Sequence, residues 1–186
     1  WVTQRTCWRA ATALSFRPTT SATRPPIPAS TSSNTSVSPG ASERTTGNRN
    51  RAIAYLMLSR GIIEDRVEET LDLYFAQCSV LVTATDLALI GATIANHGVH
   101  PDTGEQVVPR EVTRDMLTVA LTCGMYDYAG EWAFSVGIPA KSGVGGGILG
   151  MLPGVGGAAT FSPRLDEIGN SVRGLRVFEE LSRNFD

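Results

Sequence analysis

Apolar residues recur at helical spacing in the part of the chain that follows residue 47. The first run predicts a helix over residues 48–60, capped by Asn48 and stopped by Gly61, with four inward positions at i, i+3, i+4 and i+7: Asn50, Ile53, Ala54 and Met57. One of these four positions is polar. We therefore expect the side chain of Asn50 to lie on the buried face of this helix.

A second helix is predicted over residues 64–78, because its acidic first turn favours the helix dipole and one face carries Leu71, Tyr74, Phe75 and Cys78. This spacing directs the ring of Tyr74 inward. Three further helical segments are predicted at residues 85–96, 109–122 and 127–135.

The pattern changes after Pro139, where glycines alternate with apolar residues and long helices are disfavoured. Two short strands, at residues 143–152 and 156–162, are predicted to pair antiparallel about a turn at Pro153. A final amphipathic helix over residues 171–181 is expected to cover them. The chain is therefore predicted to be α+β, a helical cluster packed on a small antiparallel sheet.

Residues 1–41 differ in composition from residues 42–186. Half of residues 1–40 are Ser, Thr or Pro, and residues 1–42 contain four arginines but no Asp, Glu or Lys. Such a segment buries too little apolar surface to offset the entropy of ordering, so we expect a disordered or out-of-frame leader. Its prolines disfavour a mitochondrial transit helix, and its interrupted apolar stretch disfavours a secretory signal.

Charge and cysteine content narrow the classes of partner. The net charge is −2 and no basic cluster is present, which argues against a nucleic-acid surface. No apolar stretch approaches the roughly 20 residues of a membrane span, so no membrane partner is expected. The three cysteines lack metal or disulfide-framework spacing, so we predict thiols and a cytoplasmic location.

The chain has a single lysine, Lys141, which is followed by Ser142 and Gly143. A phosphate-binding loop is excluded because the lysine precedes the glycines and strands follow them. The G-x-G-x-x-G match at residues 145–150 leads into Met-Leu-Pro-Gly, which cannot start the helix that a dinucleotide needs. A lysine-serine-glycine strand also lines the active site of serine β-lactamases, although these three residues alone are better explained as the start of an ordinary strand.

Other polar candidates have ordinary structural explanations when they are taken singly. Asn50 could cap a loop, Tyr74 could be a core tyrosine, and Glu43 could compensate the dipole of the helix that follows it. The histidines at 97 and 100 lack a third ligand at metal spacing. We therefore predict neither a metal nor a cofactor.

Eight segments, taken in order and spacing, resemble the glutaminase family, the serine-dependent enzymes of β-lactamase-like fold. They are SERTTGNRNRAIAY at residues 42–55, LDLYFAQCS at 71–79, IANHG at 94–98, TGE at 103–105, CGMYD at 123–127, PAKSGVGGGI at 139–148, SPRLD at 162–166 and GNSV at 169–172. The resemblance covers residues 42–186. This part of the chain is similar to the C-terminal portion of a glutaminase domain, so an incomplete β-lactamase-like domain is expected. It implies hydrolysis of L-glutamine to L-glutamate and ammonia without a cofactor, and self-association into dimers or tetramers.

The resemblance also implies roles for five residues. Glu43 would pair with the substrate ammonium, while Asn50 and Tyr74 would offer donors to its carboxylate. The backbone N–H of Val144 would stabilise the oxyanion. Tyr126 would bind substrate beside the nucleophile and relay its proton, so it is the one catalytic candidate in this chain.

One family feature is missing from this sequence. Members carry a Ser-x-x-Lys motif whose lysine activates the serine, whereas the residue three positions before Lys141 is Ile138. We therefore expect the chain alone to be inactive. Two alternatives stay open: another serine acyl-transferase of the penicillin-recognising class, and a non-catalytic fragment that binds glutamine.

Overall fold

A computed structural model describes residues 11–16, 44 and 47–184 of the chain. These residues fall into two compact units, and each unit is described separately. The first comprises residues 44–81, and the second comprises residues 11–16 together with residues 82–184.

The first unit is a pair of helices, α1 at Asn48–Ser59 and α2 at Val67–Cys78. Its core is a small cluster in which Ala54 of α1 meets the buried face of α2, formed by Val67, Leu71 and Phe75. These three positions recur at i, i+4 and i+8, which places them on one narrow stripe of the helix.

The buried faces predicted for these two helices are wider than the buried faces in the structure. Tyr74 is 46% exposed and Ile53 is 47% exposed, while Asn50 is half-buried. Within this unit each helix packs against one other helix, so only a narrow stripe is covered and its flanking positions stay accessible. The prediction that Tyr74 and Cys78 point into the core is therefore wrong.

The second unit contains a four-stranded antiparallel sheet with four helices and a short 3-10 turn. Its strands are β1 at Ala11–Phe16, β2 at Ala140–Gly143, β3 at Gly147–Leu152 and β4 at Gly156–Phe161, in the spatial order β1-β4-β3-β2. Its helices are α3 at Ala84–Ala95, α4 at Arg110–Cys123, α5 at Ala129–Ser135 and α6 at Val172–Arg183, with the 3-10 turn at Tyr126–Tyr128. The predicted α+β class is confirmed.

Two differences from the predicted strands follow from turn chemistry and strand pairing. The predicted strand at residues 143–152 is interrupted at residues 144–146 by the turn that joins β2 to β3. The predicted leader contributes β1, which pairs antiparallel with β4 from Ala11 to Phe16. Strand β1 supplies hydrogen-bond partners to what is otherwise an edge strand, so residues 11–16 of the predicted leader have regular structure. The rest of residues 1–41 lies outside the described residues.

The core of this unit lies where α5 and α6 meet the sheet. Trp132 and Phe178 are both fully buried and meet edge to face, with ring centroids 5.7 Å apart. Phe178 packs over Gly150 of β3, and Ile148 completes the cluster. Helix α3 lies on the opposite face, where the backbone at Ala88 approaches β4 closely. The sheet is therefore covered on both sides, as layered α+β domains require.

The start of α3 is fixed by a capping box between Thr83 and Asp86. The N–H of Asp86 donates to the Thr83 hydroxyl, and the N–H of Thr83 donates to the Asp86 carboxylate at 2.8 Å. Changing Thr83 to alanine should lower the free energy of unfolding by about 1 kcal/mol, measured by urea denaturation. The control is the same change at Thr85, which is exposed and lies two residues further along the chain, and it should have little effect. Equal losses of unfolding free energy in both variants would contradict the assignment of this cap.

Candidate active site

Strand β2 is brought against the end of α4 by a close backbone approach at Gly124. A Cβ on Gly124 would lie 1.8 Å from the carbonyl oxygen of Ala140, so no other residue fits without displacement. The N–H of Ser142 donates to the Gly124 carbonyl at 2.9 Å. This contact sets the chain that follows α4 beside the lysine-serine-glycine strand.

The side chain of Tyr126 spans the gap between these two segments. Its hydroxyl donates to the backbone carbonyl of Ser142 at 3.0 Å. Its own backbone has a φ of 56°, in the left-handed region that a non-glycine residue adopts only where the surroundings compensate the strain. Strained backbone of this kind clusters at functional sites, which makes Tyr126 the centre of the candidate site.

Lys141 lies over the same ring. Its ammonium is 4.8 Å from the centroid of the Tyr126 ring and also donates to the Ser142 carbonyl. The ammonium and the phenol hydroxyl therefore converge on one acceptor, and the ring face carries a cation.

The electrostatics of this pair favour the neutral forms of both groups. Burial raises the pKa of the Tyr126 phenol above its usual value, and the backbone N–H of Val144 opposes the rise by hydrogen bonding to the phenol oxygen. Partial desolvation lowers the pKa of the Lys141 ammonium. Tyr126 is thus held as a protonated phenol, able to donate a proton, beside an amine that gives up its own proton more readily than a solvated lysine.

Val144 opens the turn between β2 and β3. Its side chain is 72% exposed, so the residue contributes through its backbone and not through packing. The turn is held at its far end, where the N–H of Gly146 donates to the Gly143 carbonyl at 2.9 Å and the N–H of Ser162 donates to the Gly146 carbonyl at 2.8 Å. The structure therefore brings together two of the five predicted site residues, Tyr126 and Val144.

The other three predicted residues are not in the part of the second unit that the structure describes. Asn50 is on α1 and Tyr74 is on α2, both in the first unit. Glu43 lies outside the described residues. Their predicted roles stay predictions.

The two histidines lie in the turns after α3. Thr103 donates its N–H to Nδ1 of His100 at 3.2 Å, so one ring nitrogen of His100 is used within the turn. Across the part of the chain that the structure describes, no three His, Cys, Asp or Glu side chains are grouped to hold a metal ion.

The glutaminase family model matches residues 27–186. The chain belongs to the glutaminase family. It is 60% identical over 142 residues to the glutaminase of Nostoc sp. (strain PCC 7120), covering 76% of this chain and 42% of that protein. It is 52% identical over 145 residues to the glutaminase of Clostridium tetani, covering 78% of this chain and 47% of the other.

Solved glutaminase structures share the fold. The covalent complex of the Bacillus subtilis glutaminase YbgJ with 5-oxo-L-norleucine is 40% identical with a TM-score of 0.75, and the match covers 79% of this chain and 53% of that one. The glutamate form of Mglu is 50% identical with a TM-score of 0.75, and the match covers 78% of this chain and 34% of that one. The chain thus spans about half or less of these relatives and corresponds to the C-terminal part of the β-lactamase-like glutaminase fold.

Sequence reasoning about this glutaminase chain missed one part of the site. The loop at residues 166–170 passes beside Tyr126 and Val144, because a side chain at Gly169 would contact both. Its two ends lie in segments that resemble the family and were given no role. The available signal was a polar Asn170 directly before the helix cap at Ser171, in a stretch otherwise typical of a surface loop.

Proposed function

We propose that this chain supplies the tyrosine and the oxyanion donor of a glutaminase that hydrolyses L-glutamine to L-glutamate and ammonia. The observation that carries the proposal is the convergence of the Tyr126 hydroxyl and the Val144 N–H, one a proton carrier and the other a backbone donor. Acyl transfer from an amide needs both functions at the reacting carbonyl.

The proposed chemistry proceeds through an acyl-enzyme. A serine hydroxyl attacks the carboxamide carbon, and the N–H of Val144 stabilises the oxygen that becomes negative. Tyr126 relays the serine proton to the departing nitrogen, so ammonia leaves and an ester remains. Water then attacks the ester, and glutamate and the free serine are released. This chain contains no Ser-x-x-Lys, so we propose that the nucleophile belongs to a segment of a complete glutaminase that is absent from this sequence.

The proposed substrate contacts of the first unit meet the charged ends of glutamine. Glu43 pairs with the ammonium, and Asn50 and Tyr74 donate to the carboxylate. The accessible position of Tyr74, 46% exposed, and the half-buried position of Asn50 support this proposal, because a ligand can reach either residue.

We propose that the complete protein is a cytoplasmic homo-oligomer that needs no cofactor and binds neither nucleic acid nor membranes. Free thiols support the location, since Cys78 and Cys123 are both unpaired. Among the described residues, no helix has both the length and the apolar character to cross a bilayer.

A chimera tests the proposed reaction. The N-terminal part of the Nostoc glutaminase, ending where the 142 matched residues begin, would be joined to this chain from residue 42 onward. The chimera should release ammonia from glutamine, and the chain alone should not. Labelling of the chimera by a fluorescent penicillin without ammonia release would favour a penicillin-recognising acyl-transferase. Heat of glutamine binding to the chain alone, without product, would favour the non-catalytic alternative.

The oxyanion role of Val144 predicts a contrast between two substitutions. Changing Val144 to proline removes the N–H and should lower kcat of the chimera about 10²- to 10³-fold. Changing Val144 to alanine keeps the N–H and alters only an exposed side chain, so kcat should change little. Steady-state kinetics on both variants measure the contrast, and similar kcat values in the two would exclude this N–H from the oxyanion site.

A further inference from the structure

The loop from Asp166 to Asn170 is built around one carboxylate oxygen. Oδ1 of Asp166 accepts the N–H groups of Ile168 at 3.0 Å, Gly169 at 2.8 Å and Asn170 at 2.8 Å. The N–H of Asp166 donates to the Asn170 carbonyl at 2.8 Å, which closes the loop. Three charge-assisted hydrogen bonds to one oxygen therefore restrain the backbone of this loop.

This loop lies directly on the candidate site. Gly169 has a φ of 106°, and a Cβ placed on it would lie 3.5 Å from Cγ1 of Val144 and 3.8 Å from Cε2 of Tyr126. A side chain at position 169 would therefore be in van der Waals contact with both residues of the proposed acyl-transfer site, so the loop passes beside both of them. The loop therefore borders the turn at Val144, a residue that is itself 72% exposed.

The loop is anchored on its inner side by Asn170. This side chain is fully buried, and its Nδ2 lies 3.5 Å from the carbonyl oxygen of Met125. Met125 directly precedes Tyr126, whose backbone is in the left-handed region. Oδ1 of Asn170 has no hydrogen-bond partner among the described residues. A buried amide that is only partly satisfied costs stability, which points to a role beyond packing.

We propose that the loop from Asp166 to Asn170 is a positioning element, in which Asn170 and Gly169 fix the Tyr126 hydroxyl relative to the Val144 N–H. The catalytic part of this inference rests on the proposed glutaminase function. Asn170 contacts the carbonyl of Met125, the residue before Tyr126, and acts through Tyr126, so it is a positioning residue. A fixed separation between proton carrier and oxyanion donor is what acyl transfer requires of a preorganised site.

A phenol titration in the chain alone tests the geometry without substrate. The absorbance of ionised tyrosine is followed against pH, and subtracting the Tyr126→Phe background isolates Tyr126 from the other three tyrosines. The pKa of Tyr126 should lie above its usual value in the parent chain. In Asn170→Ala and in Asp166→Ala it should move back toward that value, because a loosened loop admits water to the ring.

Two further variants separate positioning from general effects. Asp166→Asn removes the charge but keeps an acceptor oxygen, so it should restore most of the parent titration. Thr160→Val removes another buried hydroxyl that has no partner in the described part of the chain, and it should leave the titration unchanged. Lys141, the cation over the ring, is retained in every variant, so its field cancels in the comparison.

The outcomes distinguish this inference from the proposed function. Parent-like titration of Tyr126 in both alanine variants, with circular dichroism showing folded protein, would overturn the positioning role. If one alanine variant does not fold, the other decides. In the chimera, Asn170→Ala should lower kcat on the order of 100-fold with little change in KM. An inactive parent chimera combined with the expected titration shifts would reject the glutaminase proposal and keep the loop assignment.

Discussion

Changing Tyr126 to phenylalanine in the chimera should lower kcat for glutamine hydrolysis by about 10²- to 10⁴-fold, the range that a positioned acid–base group contributes. The substitution removes the hydroxyl that donates to the Ser142 carbonyl and keeps the ring beneath the Lys141 ammonium. Because the ring and its cation contact persist, loss of activity would report the proton relay and not a rearranged site. Steady-state kinetics with ammonia detection measure the effect.

Tyr128 provides the matched control for this change. It lies in the same 3-10 turn, and its side chain packs against the core cluster around Met125. Changing Tyr128 to phenylalanine removes an equivalent hydroxyl outside the proposed site, and kcat should fall less than about tenfold. A Tyr126→Phe chimera as active as its Tyr128→Phe counterpart would show that Tyr126 carries no proton in the reaction.

Changing Trp132 to alanine should lower the free energy of unfolding by about 3–5 kcal/mol. The indole is fully buried, meets Phe178 edge to face at 5.7 Å, and donates from Nε1 to the Ile138 carbonyl at 2.7 Å. The substitution leaves a large cavity and an unpaired carbonyl next to β2. Domains of this size are stabilised by roughly 5–15 kcal/mol, so the loss would be a large share of the total.

Phe134 tests whether this loss comes from burial. It lies two residues further along α5 and is 94% exposed, so changing it to alanine removes a ring that packs on nothing in the described structure. Urea denaturation should show a change near zero, since exposed substitutions usually stay within about 0.5 kcal/mol. Comparable losses at Trp132 and Phe134 would mean that the core around α5 is placed wrongly.

Much of the secondary structure could be predicted from local patterns. Helix α4 after Pro109, the end of α3 before Gly98 and the pairing of β3 with β4 all follow from caps, breakers and turn residues. The width of a buried helix face could not be predicted in this way, because it depends on how many other elements pack against the helix. Tyr74 is an example, since its spacing along the helix is that of a core residue but its side chain is 46% exposed.

The predicted site was recovered only in part, for a similar reason. The family resemblance selected Tyr126 and Val144, and the structure brings them together. Spacing could not show that the absence of a side chain at Gly124 lets β2 approach the end of α4, nor that the loop at Gly169 passes beside both residues. Such contacts join segments that are distant in sequence, and no local pattern encodes them.

The value of kcat/KM for glutamine in the chimera, set against that of the parent Nostoc glutaminase, tests the central claim most directly. If residues 42–186 carry the tyrosine, the oxyanion donor and the substrate contacts of a glutaminase, the chimera should hydrolyse glutamine within about tenfold of the parent enzyme. A folded chimera that releases no ammonia from glutamine would contradict the claim.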